Sequence, residues 1–142
     1  MPFSLTKFFP AIAQMKLNEF GIVAYNEWIK LPQRFPNAAL DVFQIMPNHI
    51  HGIILLNEIP IPQKSTPEKI IVTSISEIVG AYKSLVLNGC LELYKAQNIT
   101  MGKFWQRNYY EHIIRNEKSY ATISEYIENN PAKWKEDTFF TK

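Results

Sequence analysis

Two histidines one residue apart, His49 and His51, interrupt the apolar run "MPNHIHGIILL". Alternate residues of a strand project from the same face, so a strand here places both imidazoles side by side. Such a pair can converge on one cation if a third ligand arrives from elsewhere. It can equally be two partly buried histidines tied to backbone groups, and the spacing alone leaves both readings open. Imidazole suits several divalent ions, so the pair does not choose among them. A second group lies in "SEYIENNPAKW", where Tyr126 and Asn130 stand four residues apart and share one helix face. Ile123 and Ile127 border that face, which puts Tyr126 at the edge of a buried stripe, within reach of a neighbouring sheet. A half-buried tyrosine with a solvated hydroxyl satisfies the same pattern.

The elements that must carry these residues follow from periodicity. Leu17, Phe20, Ala24, Trp28 and Leu31 recur at three- and four-residue steps, which predicts a helix over 17–31 ended by Pro32. Ala39 to Ile45 and His49 to Leu56 read as two strands of an antiparallel hairpin joined through Met46, Pro47 and Asn48. Residues 57–69 hold three prolines and read as a flexible loop. A helix is expected over 74–88, with Ile75, Ile78, Val79, Tyr82, Leu85 and Val86 inward and Gly89 as its C-terminal cap. "GKFWQRNYYEHIIRN", Gly102 to Asn116, is aromatic and β-branched enough to contain a strand. A last helix is expected over 118–130, closed by Pro131. Strands grouped with flanking helices give an α+β fold.

Composition sets the frame. The 142 residues, 46% hydrophobic and 20% charged, suit a single folded domain over 1–142 and argue against disorder. A net charge of +2 permits a nucleic-acid partner without requiring one. Cys90 is the sole cysteine, so the chain has no internal disulfide and a reducing cytoplasm is the expected setting. With no signal-like start and no run long enough to span a bilayer, no membrane partner is expected.

Taken in order, "MPNHIHGIILL", "GKFWQRNYYEHIIRN" and "YIENNPAKW" resemble the signature blocks of the HUH single-tyrosine transposases, in the branch associated with repetitive extragenic palindromes. The resemblance covers the chain from about Leu17 onward. It implies a ferredoxin-like antiparallel sheet with helices on one face, and an enzyme that cuts and rejoins single-stranded DNA near hairpins. In that family's terms His49, His51 and Asn130 match the ligands of a divalent metal ion, Mg²⁺ or Mn²⁺, and Tyr126 matches the nucleophile of a 5′-phosphotyrosine intermediate. Mg²⁺ favours all-oxygen shells, so Mn²⁺ should serve at least as well. Lys103, Arg107, Arg115 and Lys118, interleaved with Tyr109 and Tyr110, suit phosphate pairing and base stacking on a single strand or hairpin junction. Phe104 and Trp105 sit in the same block, and Trp105 is expected to be structural, with His112 structural or unassigned.

One departure stands out. The family opens on a long apolar strand, whereas Pro2 and Pro10 of residues 1–16 fit a central strand poorly, so this N-terminus is expected to be divergent or shortened and the first strand missing. That would leave a sheet edge for another copy to cover, as a homodimer. Two functions follow, an active strand transferase or an impaired or domesticated relative that binds hairpin DNA without cleaving it. An unrelated soluble α+β protein is a third, which three blocks in the right order argue against.

Overall fold

The structure, a computed structural model, describes residues 5–9, 14–63, 66–71, 73–105 and 111–134. The chain is α+β. Its elements run β1 (Thr6–Phe9), β2 (Gln14–Leu17), α1 (Glu19–Ile29), α2 (Leu31–Arg34), β3 (Ala38–Ile45), β4 (Ile50–Leu56), β5 (Ile59–Gln63), β6 (Thr66–Ile71), α3 (Ile75–Ala96) and α4 (Glu117–Asn129). Strands pair antiparallel as β1–β2, β3–β4 and β5–β6, and among the described residues these ribbons share no ladder. No helix of the described residues is long and apolar enough to cross a membrane.

The β3–β4 ribbon is the organising element. Ile45 pairs with Ile50, Gln44 with His51, Phe43 with Gly52 and Leu40 with Ile54, with an irregularity between Leu40 and Phe43. Alternation sends Ile50, Gly52 and Ile54 to one face and His51 and Ile53 to the other. The first face meets α1: the Trp28 ring lies 5.4 Å from that of Phe43 and occupies the space a side chain at Gly52 would need. Helix α4 packs on β3 and β4 and buries Ile127 there. The expectation of helices on one face is therefore corrected. Rings of α4 meet the His51 face, so the ribbon is covered on both sides.

Helix α1 begins two residues later than its periodicity suggests, because Leu17 closes β2 and Asn18 caps the helix by accepting from the Gly21 N–H at 2.9 Å. Pro32 does not simply end it. It sits in the first turn of α2, where a missing N–H leaves no helical bond unmade. Helix α3 starts at the expected cap, Ser74, which accepts from Glu77 N–H at 3.2 Å. It then runs past Gly89 to Ala96. Gly89 is a point of close approach rather than a cap, since Val23 of α1 fills the place of its absent Cβ. The helix stops instead where Asn98 adopts a left-handed φ of 56°.

Residues 57–69 were the expected loop, and most of them instead form β5–β6. In a two-stranded ribbon half the N–H groups point away from the partner, so prolines fit without cost to the ladder. The N-terminus differs too. β1 and β2 pair antiparallel, and Leu5 is fully buried, its N–H donating to Pro47 O at 3.0 Å and its carbonyl accepting from Asn18 N–H at 2.9 Å. This segment braces the turn that leads into His49, and Gly21 has no side chain because the Leu5 carbonyl lies against it. A strand expected within 102–116 is not present among its described residues, and 106–110 lie outside them.

Between α1 and α3, Tyr82 donates to Ala24 O at 2.8 Å and meets Trp28 edge-on at 5.3 Å. Burial, with Glu19 adding to it, pushes the Cys90 thiol up from 9.0 to about 12. Burial also drives the Tyr82 hydroxyl well above its usual range, helped by Cys90 and Glu27. Both groups keep protons in the folded chain that the unfolded chain releases first. Their stabilisation is therefore complete below about pH 8.5 and lost as pH rises toward 12, by up to ~1.4 kcal/mol per unit for each group. Thermal melts from pH 8 to 11 should show a falling Tm, and Cys90→Val, close in volume, should remove the early part of that fall.

Candidate metal and nucleophile site

The β3–β4 turn sets the first histidine. Met46 N–H donates to His49 O at 2.8 Å, closing the turn, so His49 lies one residue before β4 and His51 lies within it. The two rings are nonetheless neighbours, with centroids 5.1 Å apart and planes at 81°. His49 Nδ1 lies 2.9 Å from Asn48 Oδ1. An amide oxygen only accepts, so this contact is made by an Nδ1 that carries its hydrogen. Metal-binding histidines are oriented by this kind of contact.

From the other side comes α4. Asn116 caps it by accepting from Ser119 N–H at 2.8 Å, and Glu117 complements the positive end of the helix. Buried Ile127, then Asn130, Pro131 and Trp134 just beyond the helix, fix its C-terminal end. The Tyr126 ring meets His51 edge-on at 5.6 Å, and the Trp134 ring meets His49 at 6.0 Å with planes at 31°. Four rings thus form a chain, Trp134–His49–His51–Tyr126. Asn130, only 2% exposed, sits one turn from each of the outer two in sequence. It is also the C-cap, where free helix carbonyls carry partial negative charge and favour a cation.

The donor atoms fit a divalent ion. His49 Nε2, His51 Nε2 and Asn130 Oδ1 are all shielded from solvent. Among the described residues no three of His, Cys, Asp and Glu gather as a ligand group, and the candidate donors there are two imidazoles and an amide oxygen. Mixed nitrogen and oxygen donors suit Mn²⁺ and neighbouring ions better than the all-oxygen shells typical of Mg²⁺. Tyr126 is 50% exposed, and its ring meets that of His51.

Lys103, Arg115 and Lys118 are exposed, and Arg107, Tyr109 and Tyr110 lie outside the described residues. Arg115 lines an open depression with Glu111, His112 and Ile113, just ahead of α4. His112 is exposed and stays unassigned. Trp105 is structural, as expected: its Nε1 donates to Lys83 O at 2.8 Å and its ring packs on buried Phe104. Three contributors have no role in the sequence reading. Asn48 and Trp134 sit inside the quoted blocks, four or fewer residues from a site residue, so spacing could have nominated them. Asp41, which binds Tyr120 of α4, gives no local signal at all.

No protein-family profile and no solved structure matches the chain. It is similar to a protein of Haemophilus influenzae described only as an uncharacterized protein, with 40% identity over 136 residues that cover 89% of this chain and 73% of the relative. At that identity and coverage, the chain belongs to the same family as the Haemophilus influenzae protein.

Proposed function

We propose that this chain is a metal-dependent single-stranded DNA endonuclease and strand transferase, built on a ferredoxin-like frame, that acts near DNA hairpins through a phosphotyrosine at Tyr126. The observation that carries the reading is the contact of Tyr126 with His51, beside His49 and one turn from Asn130. When bound by His49, His51 and Asn130, a divalent cation supplies charge stabilisation to the oxygens of a scissile phosphate. The chain's own groups do the rest. Trp134 and Asn48 hold the His49 ring, and His51 holds the Tyr126 ring at the mouth of the site. The Tyr126 oxygen loses its proton to solvent and forms a bond to phosphorus, while the bond from phosphorus to the 3′ oxygen breaks and that oxygen takes up a proton. The products are a 5′-phosphotyrosine and a 3′-hydroxyl. Attack of a 3′-hydroxyl on the phosphotyrosine reverses the exchange, so rejoining needs no ATP.

Lys103, Arg115 and Lys118, with Arg107, Tyr109 and Tyr110, are the proposed DNA contacts, through phosphate pairing and base stacking. The test mixes purified protein with labelled single-stranded hairpins and Mn²⁺ or Mg²⁺ and resolves products on a denaturing gel. A metal-dependent covalent adduct is the expected result. Salt-sensitive hairpin binding with no adduct would favour the binding-only relative instead.

A further inference from the structure

Helix α4 carries the nucleophile but little apolar surface to hold it, for Ile127 is its buried residue. Burial of Asn130, Pro131 and Trp134 secures one end. At the other end the Tyr120 hydroxyl donates to Asp41 Oδ2 at 2.6 Å, a short bond to a carboxylate. Asp41 lies where the β3–β4 register shifts, between Leu40 and Phe43, and its second oxygen accepts from Val42 N–H at 2.7 Å. Bulges re-aim side chains beside functional sites. This one turns a carboxylate so that one oxygen closes the strand irregularity and the other receives the helix. The contact with Asp41 also raises the pKa of Tyr120.

We propose that the Asp41–Tyr120 bond is a latch that sets the tilt of α4 on the ribbon and so holds Tyr126 against His51, making Asp41 and Tyr120 positioning residues for the nucleophile. The inference rests on the strand-transferase reading. Its leverage follows from helix geometry. Tyr126 is four residues from the anchored Asn130, and Tyr120 is ten. A displacement at Tyr120 therefore reappears at Tyr126 scaled by roughly four-tenths, and ~2.5 Å at the latch becomes ~1 Å at the nucleophile. A misplacement of that size costs up to ~10²-fold in rate.

The test compares wild type, Tyr120→Phe, Asp41→Ala and the double variant, with Tyr126→Ala as reference. Only three histidines are present, so their imidazole C–H signals are readily assigned by NMR, and His51 senses the ring current of Tyr126. Both single variants should move the His51 signal toward its position in Tyr126→Ala. They should also slow adduct formation at saturating DNA roughly tenfold, with hairpin Kd unchanged, and the double variant should be no worse than either single. Tyr120→Phe removes one exposed oxygen and retains the ring, so loss of folding does not confuse the result. An unmoved His51 signal, or an unchanged rate in an active enzyme, overturns the latch. Absence of any wild-type adduct would instead contradict the strand-transferase reading, and the NMR comparison would still decide whether the latch places Tyr126.

Discussion

Tyr126→Phe should abolish the covalent DNA adduct, slowing strand cleavage by more than roughly 10⁴-fold, the scale at which loss of a nucleophile is felt. Hairpin affinity should be unchanged, because the variant keeps the ring that meets His51 and removes only the oxygen proposed to attack phosphorus. Stability should shift by no more than ~0.5 kcal/mol, since half of the side chain is exposed. A denaturing gel, a hairpin binding curve and a thermal melt check the three parts together. The combination is diagnostic. A tyrosine that merely packs at the edge of the sheet would leave cleavage intact, and one that merely binds DNA would weaken affinity.

The second large effect falls on the metal. His51→Ala or His49→Ala should lower Mn²⁺ affinity on the order of 100-fold or more, measured by calorimetry without DNA, and should make the adduct undetectable at micromolar metal. Among the described residues no carboxylate joins the proposed set of two imidazoles and one amide to compensate for a lost ligand. Asn48→Ala should cost less, roughly 10–100-fold, because it removes a partner that orients His49 rather than a ligand. If Asn48→Ala weakens metal binding while the fold melts as in wild type, the Asn48 contact with His49 is functional.

Much of this site is legible in the sequence because its parts are local. A period of two makes His49 and His51 neighbours, and a period of 3.6 joins Tyr126 to Asn130. Even so, His49 stands in the turn and not in the strand, held by the Met46–His49 bond and by Leu5 beneath Pro47. What stays hidden depends on distant chain. Gly89 reads as a cap until Val23 arrives from α1, and the prolines of 57–69 read as a loop until two strands form a ribbon that tolerates them. Asp41 and Tyr120 are 79 residues apart, and no spacing rule connects them. Which side of the ribbon α4 takes is likewise a tertiary outcome. Its weakly apolar sequence does not specify it, and the ring contacts of Tyr126 and Trp134 do.

The most direct test of the central claim is to map the covalent link. Protein incubated with a hairpin strand and Mn²⁺ would be digested with nuclease and trypsin and sequenced by tandem mass spectrometry. Cleavage after Lys118 and Lys133 yields one peptide that carries both Tyr120 and Tyr126, so fragmentation distinguishes nucleophile from latch within a single spectrum. The account predicts a nucleotide phosphate on Tyr126, absent when metal is omitted. A link to Tyr120 or to any other residue, or no link despite cleaved DNA, would contradict it.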